Sequence, residues 1–337
     1  MVVRLINKFD QRKAQELIES NGFKYEETFD ALFGVFENGE LVATAARDHN
    51  VFKMICIRDS HQGGGLLGEL ITELINSCAY SNIENFFVFT KPDRCLSFQH
   101  LNFTPLVKHP KLCLLEYGHG LQKYLADCQA LVKPGRNGAV VVNCNPFTRG
   151  HQYLIEQAAA RVDQLYVFVV REDRSIFPFE VRYRLTREGT AHIPNVTVLD
   201  TSDYAISQVT FPGYFLKRDD DQQLIQMEVD LELFGRHIAP FFNIEKRFIG
   251  TEPYCRTTRI YSETMHKVLA LYNVETVQLD RVARGDQPIS AFRVREALKS
   301  EAFETLKELV PATTLNFLRS VQARELLQTL KNYQRRH

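Results

Sequence analysis

The chain has 337 residues, a length that suits two domains, and its 45% hydrophobic content is enough to bury a core in each. Its 41 basic and 41 acidic residues cancel, and neither half is basic enough to suggest a bulk nucleic-acid partner. No apolar run is long enough to span a bilayer and no signal-peptide pattern follows Met1, so no membrane partner is expected and a cytoplasmic protein is.

Asp10 to Ser20 reads as an amphipathic helix that stops at Asn21-Gly22. Leu32 to Ala46 holds two apolar runs on either side of Asn38-Gly39, the signal for a β-hairpin. Asn50 to Ile57 gives another strand. Gln62-Gly63-Gly64-Gly65 then leads into an apolar helix carrying Leu66, Leu67, Leu70, Leu74 and Ile75. Such a turn presents N–H groups at a helix start, which suits a pyrophosphate; a merely flexible turn has the same letters. Asn85 to Thr90 is a strand, broken by Lys91-Pro92. A short helix leads through Phe98 to Phe103, and Lys111 to Tyr117 closes a sheet. His119 to Leu131 is a helix, and Lys133 to Gly138 is a Pro/Gly linker. The domains are therefore drawn as 1–132 and 133–337.

The second domain opens with a β-branched run, Ala139 to Val142, and a polar turn with Asn143, Asn145 and Pro146. Thr148-Arg149-Gly150-His151 follows, and then Tyr153, Leu154, Ala158 and Ala159 at helical spacing. Gly150 lets a phosphate approach backbone N–H groups, and Thr148 and His151 can face the same anion. The plain alternative is a capped βα junction with His151 on a solvated face. The seven cysteines are scattered without a CxxC pair, and read as reduced thiols rather than a disulfide framework or zinc site. Cys144 and Cys255, near the suspected loops, read as packing residues.

Gln164 to Val170 is a second, buried strand, Phe179 to His192 a helix, and Val196 to Leu199 a third strand. The Lys217 to Asp221 charge run reads as a solvated loop. Lys246 to Ile249 is a strand ending in Gly250-Thr251-Glu252-Pro253, and Val274 to Leu279 is the last strand. Ile289 to Arg295 begins another helix, with Ser290 as N-cap. This alternation implies a parallel, doubly wound sheet with its ligand at the carboxyl ends of the strands.

Three resemblances rest on these residues. The N-terminal order αβββαβαβ, with Gln62 and the glycines opening its central helix, resembles the GNAT acetyltransferase family. That implies Gln62, Gly63, Gly65 and Leu67 around the pyrophosphate of a CoA-like group. Phe98 stands where many such enzymes have a tyrosine acid, and no carboxylate is placed to deprotonate an amine. The expectation is a GNAT-like α+β domain that docks a pantetheine-type arm. The Thr148–His151 motif and Ile289–Arg295 together resemble the nucleotidyltransferase superfamily, implying a doubly wound parallel-sheet, HIGH-type Rossmann-like α/β domain that holds ATP between two loops. Phe292 stands where many relatives carry Ser or Thr.

The stretches NPFTRGHQYLIEQAA, REDRSIFPFEVRYRL, TSDYAISQVTFPGYFLK, GTEPYCRTTRIYSETM and ISAFRVR together are similar to the citrate lyase ligase family. That implies ATP- and Mg²⁺-dependent acetylation of the thiol on citrate lyase's prosthetic group, carried by its acyl-carrier subunit and built from dephospho-CoA. Acetate, ATP and the thiol give the thioester, AMP and pyrophosphate through an acetyl-adenylate. By this resemblance His151 meets the α-phosphate and Thr148 the phosphates, with Asn145, Pro146, Phe147 and Gly150 at the nucleotide. Ser290, Arg293 and Arg295 take the leaving pyrophosphate with Mg²⁺. Gly250, Thr251 and Glu252 form the adenosine side, and Arg256 a phosphate contact. Glu180 and Arg182 are expected to be structural, Arg182 near the nucleotide. Three other functions use some of the same features. They are a cofactor adenylyltransferase of the pantetheine-phosphate or nicotinamide-nucleotide type, a GNAT N-acetyltransferase with a regulatory nucleotide domain, and a non-catalytic CoA or ATP sensor.

Overall fold

In a computed structural model of the chain, Asn38 and Gly39 have φ of 50° and 83°, the left-handed pair that a two-residue hairpin turn requires. The structure describes residues 1–79, 83–171, 175–205, 211–216, 222–251, 256–284 and 287–330. In chain order the first elements are β1 (Val2–Arg4), α1 (Lys8–Ser20), β2 (Ala31–Glu37), β3 (Glu40–Asp48), β4 (Val51–Ile57) and α2 (Leu66–Asn76). Then come β5 (Phe86–Thr90), α3 (Cys95–Gln99), β6 (Phe103–His109), β7 (Leu112–Tyr117) and α4 (Gly120–Cys128). Among the described residues these strands form a seven-stranded sheet in the order β1-β2-β3-β4-β5-β7-β6. Leu70, Ile71 and Leu74 recur at helical spacing on α2 and are buried against the sheet, in one core with Phe33, Val42, Phe52 and Val88.

The expected α+β order is present, with two additions. β1 is only three residues long. β6 lies where the sequence reading ended a helix at Phe103. Pro105 hid it, because proline removes a ladder donor and reads as a breaker. β6 is an edge strand with a register shift between Pro105 and Val107, the setting in which a strand tolerates proline.

The later elements are β8 (Asn137–Val142), α5 (Arg149–Ala159), β9 (Gln164–Val169), α6 (Phe179–Thr190), β10 (Val196–Asp200), α7 (Gln222–Leu233) and α8 (Ala239–Phe241). They continue with β11 (Ile244–Gly250), α9 (Arg256–Ala270), β12 (Glu275–Leu279), the short hairpin β13 (Ala283–Arg284) and β14 (Gln287–Pro288), and α10 (Ala291–Lys299). Helices α11 (Phe303–Leu309), α12 (Ala312–Arg319) and α13 (Val321–Leu330) complete them. The sheet order is β10-β9-β8-β11-β12, and every neighbouring pair is parallel. The order of strand addition reverses between β8 and β11, the switch point where such sheets bind ligands beyond their carboxyl ends. No helix among the described residues is long and apolar enough to cross a membrane.

The chain divides into two compact units, Met1–Ala126 with Gln208–Val229, and Asp127–Ser207 with Asp230–His337. The sequence reading gave everything after residue 132 to the second domain; the structure returns Gln208–Val229 to the first. Lys24 N donates to the Tyr214 carbonyl at 2.8 Å, Phe211 meets Phe89 edge-on at 5.4 Å, and His109 pairs with Glu228 at 3.1 Å. Nothing local in the sequence marks such a return, because its partners are distant in the chain.

Candidate active site

The loop that leaves β8 is set by a buried arginine. Arg182 on α6 is fully buried. Its Nε donates to the Phe177 carbonyl at 2.9 Å. Its Nη1 donates to the Asn143 carbonyl at 2.8 Å, to Asn143 Oδ1 at 2.7 Å and to the Val170 carbonyl at 2.7 Å. A buried guanidinium is tolerable only when so bonded. Here it binds the ends of β8 and β9 to the start of α6.

Thr148 is the N-cap of α5, and it forms a reciprocal capping box with His151. His151 N donates to Thr148 Oγ1 at 3.2 Å, and Thr148 N donates to His151 Nδ1 at 3.1 Å. With Nδ1 accepting, the proton of the neutral ring belongs on Nε2, which becomes a fixed donor. Burial, followed by the charge of Arg281, pushes His151 down from 6.5 to about 4, so the ring is neutral near pH 7. Phe147 lies under it with centroids 5.9 Å apart and planes 22° apart. Phe147 is itself packed on Gly189, where a Cβ would stand 2.3 Å from Phe147 Cε1.

Gly150 has a similar reason to lack a side chain. A Cβ there would lie 2.6 Å from the Ile289 carbonyl oxygen. This approach brings the start of α5 against the start of α10. Ser290 caps α10, its Oγ accepting from Arg293 N at 3.3 Å. Two helix N-termini, each with the positive end of its dipole, therefore stand side by side.

The other expected site residues fall into distinct places. Thr148 is 1% exposed, and its hydroxyl is engaged with His151 in the box. Pro146 and Phe147 are buried supports. Asn145 is buried, with Oδ1 accepting from Phe177 N at 3.1 Å, while its Nδ2 has no partner among the described residues. Arg295 is 2% exposed and donates to the Asn145 carbonyl at 2.6 Å, tying α10 to the β8 loop. Arg293 donates to the carbonyls of Gln287 and Pro288 at 3.1 and 3.3 Å.

Gly250 ends β11 and Thr251 follows it. Thr251 N donates to the Leu279 carbonyl at 2.8 Å, and Thr251 Oγ1 accepts from Arg281 N at 3.3 Å. Arg281 is the residue that the sequence reading missed. Its Cγ and Nε lie 3.6 Å from where a Gly250 Cβ would stand, and its charge reaches His151. Its signal was position alone: a basic residue just past the carboxyl end of β12. Glu252, Cys255, and the Lys217–Asp221 run lie outside the described residues, as does the Arg256 side chain.

A parallel doubly wound sheet with two capped helix starts beside its switch point defines an α/β unit of the doubly wound, parallel-sheet class. A family model described as the citrate lyase ligase C-terminal domain matches residues 137–318. The "[Citrate [pro-3S]-lyase] ligase" of Escherichia coli strain K12 is 34% identical over 94% of this chain and 93% of its own. The protein of that name from Klebsiella pneumoniae is 39% identical, covering 82% of this chain and 83% of its own. The chain belongs to the citrate lyase ligase family. Over 35% of this chain and 90% of the other, its fold is similar to an N-acyl amino acid synthase from uncultured soil microbes, with 13% identity and a TM-score of 0.31.

Proposed function

We propose that this chain is a cytoplasmic, ATP-dependent ligase that acetylates the thiol of citrate lyase's prosthetic group through an acetyl-adenylate. The observation that carries the chemistry is the pairing of the α5 and α10 starts at Gly150 and Ile289, with His151 Nε2 held as a donor beside them. The relatives' name supplies the partner.

Acetate is already ionised at neutral pH, so the nucleophile needs no base. The barrier is the approach of one anion to another and the departure of a third. Such a step is helped by positioning and by fixed positive charge. An acetate oxygen attacks the α-phosphorus, and the bond to the β-phosphate oxygen breaks as pyrophosphate leaves. His151 donates from Nε2 to the α-phosphate as charge builds on it. Arg281 supplies the full positive charge that a neutral imidazole lacks. Ser290, Arg293 and the N–H groups behind them take the pyrophosphate. Thr148 and Arg295 position these groups, and Gly250 and Thr251 border the adenosine side. Asn145 Nδ2 is a donor left for the nucleotide. Mg²⁺ carried on the triphosphate would neutralise part of its charge. In the second step the thiol sulfur attacks the acyl carbon, AMP leaves, and the thiol proton passes to water. Gln62, Gly63, Gly65 and Leu67 of the first unit receive the arm that bears this thiol.

The test is exchange of labelled pyrophosphate into ATP. We expect exchange that depends on acetate, and AMP release that also needs deacetylated citrate lyase. Formation of a dinucleotide from ATP and a phosphorylated cofactor precursor, without acetate, would replace this reading by an adenylyltransferase.

A further inference from the structure

One buried charge in the second unit takes no part in the adenylation chemistry. Arg247 on β11 is 3% exposed. It pairs in register with Thr276 on β12 and with Ala139 on β8, so the sheet continues on both sides of it. The next residue, Phe248, packs in the core that holds Ile155 of α5 and Val294 of α10. Alternation along a strand puts Arg247 on the opposite face. There its guanidinium lies 4.4 Å from the centre of the Phe234 ring, and its Nη2 donates to Tyr261 Oη at 2.9 Å. Tyr261 Oη in turn donates to Asp230 Oδ2 at 2.9 Å. Burial, more than the neighbouring charges, raises the Tyr261 phenol above its usual range, so the hydroxyl keeps its proton. The chain of bonds therefore has one polarity, guanidinium to hydroxyl to carboxylate. It joins β11, α9 through Tyr261, and α7 through Asp230.

Such an arrangement is a poor source of stability. Arg247 Nη1 has no hydrogen-bond partner among the described residues, and neither has Thr276 Oγ1 on the paired strand. An unmet buried donor costs free energy, and apolar residues of similar volume often serve a core as well as buried charges do. Apolar packing, however, tolerates sliding of a helix on a sheet. Two directional bonds that end on charged groups admit one placement.

That placement bears on one loop. β11 ends at Gly250, and α9 begins at Arg256. Thr251 N donates to the Leu279 carbonyl and its Oγ1 accepts from Arg281 N, which fixes where the loop leaves the sheet. Tyr261, in the second turn of α9, fixes where it enters the helix. We propose that Tyr261, bonded to Arg247 and Asp230, is a positioning residue for the adenosine of ATP, and that it acts by holding the start of α9 against β11. The inference rests on the adenylation chemistry proposed above, in which Gly250 and Thr251 border the adenosine. The three residues lie on the face of the sheet away from α5, so they act on the loop and not on the α-phosphate. Their loss loosens the nucleotide and leaves the chemical step alone.

Acetate-dependent pyrophosphate exchange by the full chain, at varied ATP and then at varied acetate, tests this. Tyr261→Phe keeps the ring and removes the hydroxyl. It should raise the KM for ATP about tenfold or more, with the maximal rate and the KM for acetate within about twofold of the parent. Asp230→Asn keeps an oxygen that accepts from Tyr261, and should hold the KM for ATP within about threefold of the parent. Melting curves serve as the control for folding. Should Tyr261→Phe fail to fold, Asp230→Ala carries the same expectation, because it removes the last acceptor of the chain of bonds at a half-buried position. An unchanged KM for ATP would overturn the proposal. So would a joint loss of maximal rate and of affinity for both substrates, or an Asp230→Asn variant as impaired as Tyr261→Phe. Exchange in the parent with an unchanged KM in Tyr261→Phe removes this inference alone. If the parent shows no exchange, the adenylation chemistry falls, and the calorimetric affinity of the same variants for ATP decides this inference by the same comparison.

Discussion

The chain contains two glycine-bearing helix starts that a sequence pattern treats alike, and they are built in opposite ways. At α5 the start is closed. Thr148 and His151 cap each other, and Gly150 touches the Ile289 carbonyl so tightly that no Cβ fits. At α2 the start is open. No side chain caps it, and the Cβ positions of Gly63, Gly64 and Gly65 meet nothing closer than 3.9 Å. The first arrangement fixes one donor, His151 Nε2. The second leaves its first N–H groups without a side-chain cap. Preorganisation matters where charge develops during a reaction, and less where a ligand only has to be held.

The rigidity of the α5 site can be broken most deeply at its support. Arg182→Met strands buried carbonyls of Asn143, Val170 and Phe177, and should cost about 3 kcal/mol or more in urea unfolding. His151→Ala leaves the fold but removes the fixed donor. It should lower acetate-dependent pyrophosphate exchange by about 10²-fold or more, with dephospho-CoA binding unchanged. Gly150→Ala forces the two helix starts apart. It should cost about 1–3 kcal/mol in thermal or urea unfolding and slow exchange as well. Gly64→Ala, the matched change at the open start, should stay within about 0.5 kcal/mol of the parent. Equal losses at both glycines would erase the distinction.

A smaller effect concerns pH. His151 titrates near 4 in the folded chain against 6.5 when unperturbed. Between those values the unfolded chain binds more protons, so this contribution is complete above about pH 6.5 and is lost as pH falls toward 4. Melting temperatures measured across that window should fall less steeply in His151→Gln than in the parent.

The comparison also marks what the sequence could disclose. The βα unit at residues 139–159 was readable because a β-branched run, a capping threonine and a helical apolar pattern lie next to one another. Ser290 was readable as a cap for the same reason. The N-terminal hairpin was carried by two letters, Asn38-Gly39. Roles that depend on distant partners were not readable. Arg182 acts on carbonyls from two loops, those after β8 and after β9, and Arg295 on the carbonyl of Asn145. Thr148 is legible as the cap of α5, but its reciprocal bond with His151 is not, because a motif does not record where a hydroxyl points. The return of Tyr214 and Phe215 to the first unit, and the reach of the Arg281 charge to His151, are long-range events with no local pattern.

The most direct test is a crystal structure of the chain with a non-hydrolysable acetyl-adenylate analogue. The account predicts the group replacing the α-phosphate within about 3.2 Å of His151 Nε2, between the starts of α5 and α10. An analogue bound elsewhere, or bound there with His151 turned away and its capping box with Thr148 broken, would contradict it.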